Sequence, residues 1–113
     1  RVISAKTAGE VRDMMVEVVE QGSFAARVPG YTVAGKTGTA QIAIAGGYSL
    51  TETIHSFVGF MPAEDPVFVA LVKLDIPKTH PWADGTAAPT FAKLANELLR
   101  IWHIPPPQVA QKP

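Results

Sequence analysis

The run Val67-Phe68-Val69-Ala70-Leu71-Val72 follows Pro66 without a polar interruption. Successive side chains of a strand point to opposite faces, so a strand made of this run is apolar on both. Such a strand, continuing here to Ile76, belongs inside a sheet that is covered on both sides. That requirement constrains everything else in the chain, which must supply strand neighbours and covering helices. Apolar residues make up 47% of the 113. This is enough for a real core, so most of the chain is expected to be ordered, and the length suits one domain.

Candidates for neighbours and covers are legible. Ile54 to Met61 predicts a strand stopped by Pro62, and Glu64-Asp65-Pro66 predicts a compact turn. The short connection makes this strand and Val67–Ile76 an antiparallel hairpin. Tyr31 to Ile44 predicts a further strand after the turn at Pro29-Gly30, with glycines at 35 and 38, broken by Gly46-Gly47. Thr7 to Gln21 predicts a helix, because Val11, Met14, Met15, Val18 and Val19 recur at helical period. Met14 and Met15 are read as core. Ser4 or Thr7 can cap this helix, Thr7-x-x-Glu10 has capping-box spacing, and Gly22 suits a left-handed end. Ile76 to Ala88 reads as a loop, with Trp82 capping the core. Pro89 suits the first turn of a closing helix whose stripe is Phe91, Leu94, Ala95, Leu98 and Trp102. Ile104 and Pro105-Pro106-Pro107 end it. The predicted fold class is α+β: an antiparallel sheet of about three strands flanked by an N-terminal and a C-terminal helix. Residues 1–107 form the domain portion and 108–113 a solvated tail.

Several function classes drop out. Ten basic and ten acidic residues balance, so nothing favours nucleic acid as a partner. There is no cysteine, hence no disulfide framework or thiolate metal site. His55, His80 and His103 lack ligand spacing, and no metal is expected. No dinucleotide fingerprint or P-loop is present, and no cofactor is expected. The longest uninterrupted apolar run is too short to cross a bilayer. The chain begins with Arg1 and shows no signal peptide, which reads as a piece of something longer.

The run Val33-Ala34-Gly35-Lys36-Thr37-Gly38-Thr39-Ala40-Gln41 carries the chemistry. Lys36 places a fixed positive charge beside a cleft, where it attracts a substrate carboxylate and eases proton loss from a neighbouring hydroxyl or ammonium. Thr37 and Thr39 alternate with Lys36 and Gly38, so both hydroxyls share a strand face and can donate to a terminal carboxylate. Gly38 has no Cβ, which lets an extended peptide lie against the backbone as an added strand. The N–H of Thr39 can then meet the carbonyl under attack, and one such donor is worth roughly 100- to 1000-fold in rate. The four serines of the chain are Ser4, Ser23, Ser49 and Ser56. None has lysine three residues on and none has asparagine two residues on.

Lys36-Thr37-Gly38-Thr39 resembles one of three signatures of the serine acyl-transfer enzymes that handle penicillin. From Val2 to Pro107 the chain resembles the C-terminal half of the transpeptidase domain of class B penicillin-binding proteins, a β-lactamase/transpeptidase-like fold. The resemblance is carried by Val11-Arg12-Asp13-Met14-Met15, Val28-Pro29-Gly30-Tyr31, Val33 to Gln41, Ser56-Phe57-Val58-Gly59-Phe60, Asp65-Pro66 and Ala87-Ala88-Pro89-x-Phe91. Ala40-Gln41 after the signature favours class B. The loop Trp82-Ala83-Asp84-Gly85 is less glycine-rich than the family's usual stretch.

The resemblance implies D,D-transpeptidation of peptidoglycan stem peptides through a serine acyl-enzyme, and penicillin binding. The Ser-x-x-Lys and Ser-x-Asn motifs would lie outside this chain, which would be inactive alone. Lys36 would support proton transfer. Thr37, Gly38 and Thr39 would bind substrate, and the Thr39 N–H would form half of an oxyanion hole. The implied location is the extracytoplasmic face of a bacterial cytoplasmic membrane, anchored by an upstream membrane helix. The implied partner is the other half of the domain or a swapped copy of this chain, because the Val67–Ile76 strand would otherwise keep a bare edge and an exposed apolar face. Two other readings share the same motif: a non-catalytic β-lactam-binding sensor or scaffold domain, and a class D-like β-lactamase.

Overall fold

The structure is a computed structural model and describes residues 1–107. The expected tail at 108–113 lies outside the described residues. Helix α1 spans Ala5–Gln21, strands β1, β2 and β3 span Ala34–Ile44, Gly47–Met61 and Phe68–Asp75, and helix α2 spans Ala87–Ile101. Short 3-10 turns occupy Phe24–Ala26 and Ala83–Gly85. The sheet order is β1-β2-β3, with both neighbouring pairs antiparallel. This is the α+β layout expected from the apolar patterning.

Register divides the sheet into two faces. On one, the rungs are Gly35–Gly59–Ala70, Thr37–Phe57–Val72 and Thr39–His55–Leu74. On the other they are Ala34–Phe60–Val69, Lys36–Val58–Leu71 and Gly38–Ser56–Lys73. The first face packs on α2, where Phe57 and Phe91 meet with ring centroids 4.8 Å apart. Gly35 and Gly59 make that possible. A Cβ on Gly59 would come within 2.8 Å of both rings, so only glycine admits the aromatic pair at this depth. Val19, Val28, Val33, Met61, Ala87, Ala88, Ala95 and Leu99 complete the core.

Several expectations are corrected. The strand after Gly46-Gly47 begins at once: β2 starts at Gly47, so the hairpin with β1 is far longer than predicted. Gly46 takes the left-handed conformation at the turn, with φ 85°. The ladder shifts register between Gln41 and Ala43, where Ser49-Leu50-Thr51-Glu52 bulges out. Ser49 Oγ stabilises that bulge by accepting the N–H groups of Thr51 and Glu52. Helix α1 is capped by Ser4, whose Oγ accepts the Thr7 N–H at 3.0 Å, and the Thr7–Glu10 box is not used. Gly22 is not left-handed (φ −140°). Its N–H and that of Ser23 both reach the Val18 carbonyl instead.

The α1 stripe is only partly covered: Val19 is buried, whereas Met14 is 60% exposed and is not core. In α2 the buried line runs through Ala88, Phe91, Ala95 and Leu99, while Leu94 and Trp102 are exposed. Trp82 does not cap the core; its ring is exposed and the adjacent Ala83 is buried. Strand β3 is covered on one face only, with Val67, Val69 and Leu71 exposed on the other side. The segment after α2 folds back, and the Tyr31 hydroxyl donates to the Ile104 carbonyl at 2.6 Å.

Candidate active site

Strand β1 has a neighbour on one side only, which leaves its other edge free among the described residues. The run Lys36 to Thr39 lies in the middle of this edge strand, which positions it to meet anything laid alongside. Alternation puts Thr37 and Thr39 on the α2 face, opposite the buried Phe57 and His55, as the sequence predicts. Lys36 starts from the opposite face. Its ammonium bends over the edge and donates to the Thr37 carbonyl at 2.9 Å, with Thr37 Oγ1 at 3.4 Å. The bent lysine side chain therefore reaches Thr37 at this margin from the other face, and Thr39 shares the face of Thr37.

The direction of these hydrogen bonds defines what the margin can bind. A hydroxyl has one proton to give and two lone pairs. Thr37 Oγ1 accepts from Lys36. Thr39 Oγ1 accepts the N–H of Ala83 at 3.2 Å. Both hydroxyl protons are thus left to donate outward, next to a lysine ammonium. Two O–H donors beside a cation suit an anion such as a carboxylate.

The backbone adds a further group. A residue in an antiparallel ladder directs its N–H and C=O to the same side. The Thr37 carbonyl meets the Lys36 ammonium at the free edge, so by alternation the Thr39 N–H and C=O face that edge too. Gly38 also has a local reason within the sheet. A Cβ there would stand 2.6 Å from Ser56 Oγ across the rung, so its absence relieves the sheet face.

A groove of about 550 Å³ opens beside this margin, lined by Met14, Glu17, Val18 and Gln21 of α1 together with Lys36, Thr37 and Asp84. Sequence reasoning missed this wall, because it assigned the exposed Met14 to the core. It singled out the loop Trp82-Ala83-Asp84-Gly85 but not its contact with β1, which is made by a main-chain N–H and so leaves no side-chain signal. Among the described residues no cluster of His, Cys, Asp or Glu could hold a metal ion. His55, however, is fully buried and hydrogen bonded on both ring nitrogens, to Thr53 Oγ1 at 3.0 Å and Thr86 Oγ1 at 2.7 Å. Its alternation with Phe57 along β2 was the available clue to that burial.

The chain is similar to known proteins in sequence and fold. Residues 1–96 match the family described as penicillin binding protein transpeptidase domain. Among curated relatives, the probable peptidoglycan D,D-transpeptidase PenA of Neisseria meningitidis is 38% identical over 109 residues, covering 94% of this chain and 19% of its own length. The probable peptidoglycan D,D-transpeptidase PbpC of Pseudomonas aeruginosa is 39% identical, with 100% of this chain and 20% of its own length covered. This chain thus spans about a fifth of the length of these relatives. Among solved structures, the apo transpeptidase domain of Burkholderia pseudomallei penicillin-binding protein 3 superposes with a TM-score of 0.87 at 38% identity, over 95% of this chain and 33% of that one. Penicillin-binding protein 3 of Mycobacterium tuberculosis, solved with ampicillin, gives 0.83 at 35% identity, over 100% of this chain and 28% of that one. With the strand order, the edge position of Lys36 to Thr39 and these matches in agreement, the chain belongs to the penicillin binding protein transpeptidase domain family.

Proposed function

We propose that this chain forms one wall of the active site of a serine-type peptidoglycan D,D-transpeptidase of class B. The observation that carries the reading is the outward pair of hydroxyl donors on Thr37 and Thr39 beside the Lys36 ammonium, on a free strand edge. A stem peptide ending in D-Ala-D-Ala, or a β-lactam in its place, lies along that edge as an added strand. Its terminal carboxylate takes the Thr37 and Thr39 hydroxyl protons, and Lys36 supplies the countercharge. Gly38 leaves room for the peptide backbone.

The carbonyl under attack accepts the Thr39 N–H, half of an oxyanion hole whose other donor comes from the nucleophile's own segment. The nucleophile is a serine outside this chain. Its attack breaks the D-Ala-D-Ala peptide bond and forms the serine ester, and an amine from a second stem peptide then takes the acyl group. Lys36, close to the same carbonyl, supports proton transfer electrostatically. The partner is the remainder of the transpeptidase domain or a swapped copy of this chain. The protein works on the extracytoplasmic face of a bacterial membrane, held by a helix outside this chain; among the described residues no helix is long and apolar enough to cross one.

Labelling with fluorescent penicillin tests the reading. The full-length protein that carries this segment labels covalently, and the 113-residue chain alone does not. A folded full-length protein that stays unlabelled overturns the proposal. Labelling of the isolated chain relocates the nucleophile to one of its own serines.

A further inference from the structure

We infer that His55 and Thr86 are positioning residues that aim the Thr39 hydroxyl at the substrate carboxylate. The inference deepens the transpeptidase reading above and rests on it. His55 is fully buried beneath the active-site strand, directly opposite Thr39 in the ladder. Its ring nitrogens bridge Thr53 Oγ1 on β2 and Thr86 Oγ1 just before α2.

The proton order along this chain of groups follows from what each atom can do. The Trp82 carbonyl can only accept, and Thr86 Oγ1 donates to it at 3.4 Å. With the Thr86 hydroxyl proton on that carbonyl, the 2.7 Å contact has His55 donating its Nδ1–H to Thr86. Its Nε2 then accepts the Thr53 hydroxyl proton. In that order both ring nitrogens are used; no buried side-chain nitrogen or oxygen among the described residues lacks a partner.

The far end of this chain is the loop itself. The Trp82 carbonyl accepts the Gly85 N–H at 3.1 Å and the Thr86 hydroxyl at 3.4 Å, so Thr86 adds the side-chain half of its hold; the next residue is Ala83, whose N–H holds Thr39 Oγ1. The loop is braced from the other side, where His80 Nδ1 accepts the Trp82 N–H at 3.2 Å. The Ala83 donor occupies one lone pair of Thr39 and sets which way its remaining O–H can swing. A buried histidine with no route to solvent thus governs a hydroxyl at the substrate edge, through a main-chain donor three residues before Thr86.

The experiment is a double-mutant cycle on the acylation rate of the full-length protein by fluorescent penicillin. Thr86→Val removes the hydroxyl at constant shape and lowers the second-order acylation rate roughly tenfold, the size of one lost directing hydrogen bond. Thr86→Ser keeps the hydroxyl and stays within about twofold of wild type. Thr39→Val also slows acylation. The double variant Thr39→Val/Thr86→Val is no slower than Thr39→Val alone, because Thr86 acts only through Thr39. Multiplying effects overturn the inference, as does an unaffected Thr86→Val.

A second measurement needs no variant. Nitrogen-15 spectra of the wild-type protein show His55 as the neutral Nδ1–H tautomer, and an Nε2–H tautomer breaks the proposed donor order. If Thr86→Val does not fold, Thr86→Ala takes its place in the cycle. A wild-type protein that does not acylate sinks the transpeptidase reading, and this inference with it. With wild-type acylation intact, the two tests bear on this inference alone.

Discussion

The two faces of the sheet are built from the same three strands and finished differently. On the α2 face, the rungs Thr37–Phe57–Val72 and Thr39–His55–Leu74 run from a polar margin into a closed interior. Phe57 and His55 have no exposed surface, and both nitrogens of His55 are satisfied. On the opposite face, Lys36–Val58–Leu71 runs from the same margin into open apolar surface, with Val69 and Leu71 69% and 65% exposed. The first face is completed by α2 from within this chain. The second is completed only where α1 reaches it, around Phe60 and Ala63. The chain thus packs the interior behind Thr37 and Thr39, and leaves much of the opposite face of β2 and β3 uncovered.

The comparison breaks most readily at the aromatic pair. Phe91→Ala opens a cavity against Phe57 and costs about 3–5 kcal/mol, read as a lower denaturant midpoint. A loss under about 1 kcal/mol would mean that the α2 face is no better packed than the other. The next largest effect is functional. Lys36→Ala removes the cation at the margin and slows penicillin acylation of the full-length protein roughly 10- to 100-fold, the range for a hydrogen bond to a charged group. Its melting temperature stays near wild type, because the ammonium is exposed and buries nothing. A matched fall in stability and rate would make Lys36 a structural residue.

The sequence showed the margin and the element order far better than the connections between them. Lys36, Thr37 and Thr39 were legible because strand alternation and charge are local properties. Residues 47–53 were not, because Gly46-Gly47 marks a turn and a break equally well. The bulge at Ser49 to Glu52 then erases the two-residue period that identifies a strand. Met14 was misplaced for a different reason. Helical period tells which residues share a stripe, but not whether the molecule has enough partner surface to cover it. The run at Val67 to Val72 is apolar on both faces and this chain covers one, which leaves the exposed apolar face expected of this strand when nothing further covers it. The hold of Ala83 on Thr39 was unreadable in principle, since any residue there carries the same N–H.

A smaller effect tests the helix that walls the groove. Ser4→Ala removes the cap on α1 and costs about 1 kcal/mol in thermal or denaturant unfolding. Thr7→Ala costs less, because Ser4 rather than Thr7 accepts the first helical N–H. The reverse order would restore the Thr7–Glu10 capping box that the sequence suggested.

The smallest change in stability should come from the open face, and it is the most informative. Val69 and Leu71 make up the bulk of its exposed apolar surface on β3. In the isolated chain, Val69→Ser with Leu71→Ser removes no buried area, so the unfolding free energy moves by about 0.5 kcal/mol or less. Association should respond instead. Adjacent to a strand edge without a neighbour, these side chains give a second molecule both backbone groups to pair with and apolar surface to bury. Sedimentation should therefore show the wild-type chain self-associating and the double variant more monomeric. In the full-length protein the same pair should cost more than in isolation, because there the face would have something to lose. If the isolated wild-type chain were instead a clean monomer with a two-state melt, the open face would need no cover, and the difference between the two faces would be one of composition alone.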